Sequence, residues 1–207
     1  MQDNTSSSPP HHVAILVAPL LVWVVGSYLL CPTDPDLWWH LTMGQVIVDT
    51  RSIPRTDIFS FLSFGRPIVA HEWLSEVVFA LIYRASGYVG LSVIWALLAS
   101  LTVYVVYRTC RIRGIDPLAA SLVSALATRL LLIGGGVRPQ LVTLLCTSIV
   151  VCALTRVTRY GWYRSLWGLP FLLCVWANAH GGYILGVALL WLACLVGWFS
   201  LERGVAV

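Results

Sequence analysis

Apolar runs close to the twenty or so residues that cross a bilayer alternate with short polar segments along this chain. Five of them cover about 13 to 31, 88 to 108, 117 to 134, 140 to 156 and 182 to 201. A sixth, about 165 to 180, is shorter and follows Trp162, Tyr163 and Trp167, aromatic residues of the kind that gather at a membrane interface. The pattern predicts an all-α, polytopic integral membrane bundle of about six transmembrane helices.

One segment decides the topology. HEWLSEVVFALIYRAS, residues 71 to 86, has Glu72 and Glu76 at its start and Arg84 near its end, so only Val77 to Tyr83 is free of charge. That run is too short to span. Glu72 and Glu76 share one helical face at i, i+4, and Trp73, Val77, Ala80 and Leu81 form another. An amphipathic interfacial or re-entrant helix is predicted. With that segment outside the count, Arg108, Arg111 and Arg113 fall on the same side as Arg156, Arg159, Arg164 and Arg203, as the positive-inside rule requires.

The expected organisation is a disordered cytoplasmic tail at 1–12, a first transmembrane helix at 13–31, an extracytoplasmic loop at 32–87 and the remaining bundle at 88–203. The tail has no Lys or Arg, so the first span reads as uncleaved. In the long loop, Leu37 to Val48 carries apolar residues on a helical period, and SIPRTD and FGRP are turn-like. Short juxtamembrane helices are expected there, anchored by Trp38, Trp39, Phe59, Phe61 and Trp73.

Composition agrees with a membrane protein: 58% of the residues are hydrophobic and 11% charged, against roughly 25% charged in soluble domains. All 13 basic residues are arginine and none forms a stripe, which argues against nucleic acid as a partner. The six cysteines are scattered without a CxxC pair and read as small hydrophobes.

Four polar motifs stand out from this background: DPDLWWH at 34–40, HEWL at 71–74, VRPQ at 137–140 and NAHGG at 178–182. The six-span topology puts all four on the extracytoplasmic face. Ionisable groups at membrane depth are costly, which makes them functional candidates. Asp34 and Asp36 flank a proline and can hold a divalent cation or supply a general base; equally, they can cap the next helix. Glu72 can act chemically or as a favourable charge at a helix start. Arg138 follows three glycines and suits phosphate, though a snorkelling arginine has the same sequence. Asn178 and His180 form a tight polar turn with Gly181 and Gly182. Arg129, inside an apolar run, needs a polar partner that the sequence does not identify.

In this order the strings DPDLWWHLTMGQVIV, SIPRTDIFSF, GRPIVAHEWLSEVVFALIY, VRPQLVTLL and LPFLLCVWANAHGGYILG resemble the GT-C superfamily of membrane glycosyltransferases, over about residues 32 to 190. The closest likeness is to multi-spanning bacterial proteins of that group. The resemblance implies a protein of the bacterial cytoplasmic membrane, with both termini cytoplasmic and the site outside. It would transfer a sugar from a polyprenyl-phosphate carrier to an acceptor. The resemblance matches Asp34, Asp36 and Glu72 to catalytic positions and His71 and Arg138 to substrate- or phosphate-binding ones, and the polar motifs themselves add His40, Asn178 and His180 as binding candidates. A divalent cation on Asp34 and Asp36 would be the cofactor.

Members of that superfamily continue with further spans, whereas this sequence ends shortly after Leu201-Glu202-Arg203-Gly204. The expectation that follows is a catalytic module with a partner, or an accessory subunit of a larger membrane complex. An open, polar pocket around Asp34, Asp36, Glu72 and Arg138 would mark the enzyme; carboxylates locked to Arg51, Arg55 or Arg66 with no pocket would mark the subunit. A transporter finds no support, because no inverted repeat or midplane broken helix is evident.

Overall fold

The computed structural model describes residues 25–26, 35–133 and 136–202, apart from the side chains of 129–133 and 198–202. The tail, nearly all of the first predicted span, Asp34 and the Arg129 side chain lie outside the described residues. What is described is all-α, with six helices: α1 (Pro35–Thr50), α2 (Trp73–Ile112), α3 (Pro117–Ile133), α4 (Gln140–Tyr160), α5 (Leu169–Ala179) and α6 (Tyr183–Glu202). A 3-10 turn at Tyr163–Leu166 leads into α5.

Helix α1 starts with proline at its first position and Asp36 in its first turn, both favourable at a helix N-terminus. Leu37, His40, Leu41, Gly44 and Ile47 bury one face at helical spacing, while Trp38 and Trp39 stay exposed on the other. The rest of the loop is not helical. Asp57 is buried, and its Oδ1 accepts the backbone N–H groups of Phe59 (2.9 Å) and Ser60 (2.8 Å). Its own N–H donates to the Arg66 carbonyl at 2.8 Å, and Thr56 bridges Pro67. These local bonds, with Pro54 and Pro67, compete with a helix and win. Of the expected anchors, Trp38, Trp39 and Phe61 are exposed, Phe59 packs edge-on against Trp39, and Trp73 turns inward.

Helix α2 joins the amphipathic segment to the apolar run that follows it. The two meet at Gly87, whose φ of 62° and ψ of −159° are not helical. The departure is a reversal. Phe79 and Trp95 would stand about 24 Å apart along a straight helix, yet their rings meet edge to face with centroids 4.4 Å apart. Residues 73–86 therefore fold back onto 88–112, and only a residue at ease with positive φ can make that turn. The break lies where the sequence separates the amphipathic segment from the span.

Phe79, Trp95, Ala99 and Val103 from the two arms meet Leu37 and Leu41 of α1, and Val137 and Leu141 at the start of α4, in one core. A second core joins Cys146, Val150 and Ala153 of α4 to Leu169 and Trp176 of α5. Asp116 caps α3 by accepting the N–H groups of Leu118 (2.7 Å) and Ala119 (3.2 Å).

The arm of α2 that follows Gly87 and helix α4 are long and apolar enough to cross a membrane. Helix α5 has 11 residues, about 16 Å of rise, roughly half of a hydrocarbon core. Large apolar side chains cover much of the outer surface as well as filling the core. Ala96, Ala99, Ala120, Ser124, Thr128, Ser148 and Thr155 are buried, while Leu97, Leu101, Leu122, Leu126, Phe171, Ile184 and Trp191 face outward. Small residues between helices with large apolar ones outside suit lipid as the surrounding medium.

Candidate functional site

Helix α1 reaches the start of α2 through Gly44. A Cβ there would stand 1.9 Å from the Glu76 carbonyl oxygen, so only glycine permits the approach. One turn earlier on the same face, His40 is delivered to both glutamates. Its Nδ1 lies 3.3 Å from Glu76 Oε1 and 3.7 Å from Glu72 Oε2. The His40 ring rests edge-on against Phe79.

The end of α5 closes the site from the other side. Trp73 Nε1–H donates to Asn178 Oδ1 (2.9 Å), Asn178 Nδ2 donates to the Cys174 carbonyl (2.8 Å), and Ser75 Oγ donates to the Ala179 carbonyl (2.7 Å). The first and last of these bonds tie the first turn of α2 to the last turn of α5, and the second fixes the Asn178 amide on its own helix. His180 then leaves the helix in an extended conformation, with Nε2 3.3 Å from Glu72 Oε1.

The surroundings of His180 assign its tautomer. Nδ1 accepts the Gly182 backbone N–H at 2.9 Å, and Thr143 Oγ1 stands 2.7 Å away. An accepting Nδ1 puts the proton of the neutral ring on Nε2, aimed at Glu72. Trp176 Nε1–H donates to Thr143 Oγ1 at 2.8 Å, so the relay runs from indole to hydroxyl to imidazole to carboxylate. Burial pushes the His180 pKa below its ordinary value; the Glu72 carboxylate opposes that shift, and the nearby His71 and His40 add to it.

Thr143→Val keeps the shape and removes the hydroxyl. The expected loss is about 1 to 3 kcal/mol, because a buried indole N–H then lacks its acceptor. Chemical denaturation in detergent measures the loss, and ring-nitrogen NMR of His180 should show a mixed tautomer in place of the Nε2–H form. A variant with both properties unchanged would show that no such relay exists.

His71 is exposed; its Nδ1 bonds the Val69 carbonyl at 3.3 Å and its Nε2 lies 3.7 Å from Glu72 Oε1. Glu72 therefore has three imidazoles around it. Arg138 is held in the turn before α4 by its carbonyl, which accepts Trp95 Nε1–H at 2.9 Å. Its Nη2 is 3.4 Å from Asp36 Oδ2, a half-exposed pair one helical turn from His40. Two like charges within 4.8 Å, the span of the ligand atoms of His40, Glu72 and Glu76, repel by on the order of 3 kcal/mol at an effective dielectric of 20. The two glutamates thus call for a positive partner.

Of the residues expected from the sequence, His40, His71, Glu72 and His180 converge directly, Asn178 positions them, and Asp36 meets Arg138. Asp36 does not share the cation-sized group, which is His40, Glu72 and Glu76. Glu76 was not among the expected site residues, although its i, i+4 relation to Glu72 is visible in the sequence. Thr143, Trp176 and Gly44 carry no sequence signal at all. An apolar cavity of about 320 Å³ between α2, α3 and α4, lined by Thr102, Val106, Ala127, Leu144 and Val151, shares no residue with this cluster. Compared with protein-family models, curated proteins and solved structures, the chain matches none.

Proposed function

We propose that this chain is a polytopic protein of the bacterial cytoplasmic membrane, with six spans and both termini cytoplasmic, that transfers a sugar from a polyprenyl-phosphate donor at its extracytoplasmic face. The observation that carries the reading is the convergence of the four polar motifs, which come from α1, the start of α2, the turn before α4 and the end of α5. Small residues inside and large apolar ones outside support the membrane setting. The resemblance to GT-C glycosyltransferases supplies the reaction class.

In the proposed reaction an acceptor hydroxyl attacks the anomeric carbon through an oxocarbenium-like transition state. The new bond joins acceptor oxygen to sugar, and the bond from sugar to phosphate oxygen breaks with its electron pair leaving on the phosphate. Asp36 takes the hydroxyl proton. Arg138 holds the departing lipid phosphate, helped by the exposed imidazole of His71. Glu72, oriented by the proton on His180 Nε2, faces the positive charge developing on the sugar.

The accessory-subunit alternative expects carboxylates locked by Arg51, Arg55 or Arg66. Among the described residues those arginines make no ion pair, while Asp36, Glu72 and Glu76 face Arg138 and imidazoles. Arg84 takes Asp49 at 2.6 Å, away from the cluster.

Asp36→Asn is expected to lower transfer from a panel of polyprenyl-phosphate hexoses and pentoses by about a hundredfold or more in proteoliposomes. Full transfer by Asp36→Asn would end the proposal for that residue. A wild-type chain that transfers none of the sugars and leaves its native membrane as a fixed member of a larger complex would favour the subunit.

A further inference from the structure

We infer that His40, Glu72 and Glu76 form a binding site for one divalent transition-metal ion, between α1 and the first turn of α2. The inference stands on its own geometry and does not rest on the glycosyl-transfer reading.

Each of the three residues offers one ligand atom, and these atoms lie within 4.8 Å of one another. His40 Nδ1 lies at hydrogen-bond distance, 3.3 Å, from Glu76 Oε1 and at 3.7 Å, beyond that distance, from Glu72 Oε2. Both separations suit ligands of a shared ion. Metal bonds of about 2.1 Å put neighbouring ligand atoms roughly 3.0 Å apart at a right angle and roughly 3.4 Å apart in a tetrahedron.

A second observation points the same way. Glu76 is 4% exposed, and its Oε2 is buried with no hydrogen-bond partner among the described residues. A carboxylate oxygen in that position normally has a donor or a cation. His40 is also buried and Glu72 nearly so, and two carboxylates with a neutral imidazole carry the charge that a divalent ion balances.

The wider arrangement resembles the support that metal ligands receive. The proton on His180 Nε2 faces Glu72 Oε1 at 3.3 Å, and Thr143 with the Gly182 N–H holds that ring. Polar contacts of this kind orient a ligating carboxylate. His180 is a positioning residue here. One imidazole with two carboxylates suits Mn²⁺, Fe²⁺ or Zn²⁺; no thiolate belongs to the group, and a nitrogen ligand disfavours Mg²⁺ and Ca²⁺.

The test is a titration of the full chain, purified without a polyhistidine tag and stripped with chelator, with Mn²⁺ followed by electron paramagnetic resonance. One Mn²⁺ per chain is expected to bind and to be displaced by Zn²⁺. Glu76→Gln and His40→Gln should each weaken binding by at least about tenfold, with helicity confirmed by circular dichroism. Asp36→Asn should leave the stoichiometry at one. The assignment is overturned if folded wild-type chain takes up neither ion saturably to about 1 mM, a range that includes weak protein sites. It is overturned equally if both glutamine variants bind as the wild type does, or if Asp36→Asn abolishes uptake. The wild-type titration decides even where a variant fails to fold. Uptake without sugar transfer would sink the transfer reading alone; transfer without uptake would sink this one alone.

Discussion

Gly44→Ala is expected to destabilise the protein by about 3 kcal/mol, at the upper end of what overpacking costs. Helix propensity predicts the opposite sign, since alanine is worth about 1 kcal/mol more than glycine inside a helix. Contact decides between them. The added Cβ would stand 1.9 Å from the Glu76 carbonyl oxygen and 2.5 Å from its carbonyl carbon, and backbone cannot rotate away as a side chain can. Helix α1 must therefore retreat, and His40 retreats with it from Glu72 and Glu76. Two readouts should move together: the midpoint of unfolding in detergent and the uptake of Mn²⁺. An alanine variant as stable as the wild type, or more so, would mean that α1 and α2 do not approach as described.

Glu72→Gln should have the largest effect on chemistry, because this carboxylate is the one group that His40, His71 and His180 all face. On the proposed glycosyl-transfer reading, loss of its charge is expected to lower sugar transfer by about a hundredfold or more. The same substitution has a signature independent of any substrate. Burial lowers the His180 pKa and the Glu72 charge opposes that lowering, so the variant's His180 should titrate at a still lower pH in metal-free protein. Histidine NMR across an acid titration measures it. An unchanged midpoint would show that Glu72 and His180 do not interact.

Stability follows with a definite sign. Above the ordinary histidine value of 6.5 this ring is neutral in both folded and unfolded chains, and its full contribution is present. As the pH falls below that value the unfolded chain takes up the proton first, so folding weakens through this group. In Glu72→Gln the acid-side loss should deepen.

Much of this arrangement was legible in the chain. The period of Leu37, Leu41 and Ile47 marks α1, and the charges at each end of residues 71 to 86 separate that segment from the span that follows. Its separate nature is explained by the reversal at Gly87, a residue that the sequence presents as one glycine among sixteen. Between Ser52 and Ala70 the chain keeps to turns, as SIPRTD and FGRP suggest, and Asp57 holds them by spending its carboxylate on backbone N–H groups. Glu76 escaped selection since an i, i+4 carboxylate on an amphipathic helix is equally at home in water. Only the approach of α1 buries it.

The sequence by itself determined that the chain is helical and strongly apolar, and it marked the polar motifs that interrupt that background. Those properties follow from composition and period, which act over a few neighbouring residues. Which polar atoms meet was decided by tertiary structure alone. Gly87 turns the amphipathic arm back, Gly44 lets α1 close on it, and Trp73 and Ser75 tie it to the end of α5. Contacts between residues 36 to 108 positions apart depend on backbone reversals and on the absence of a single Cβ, and neither leaves a periodic trace.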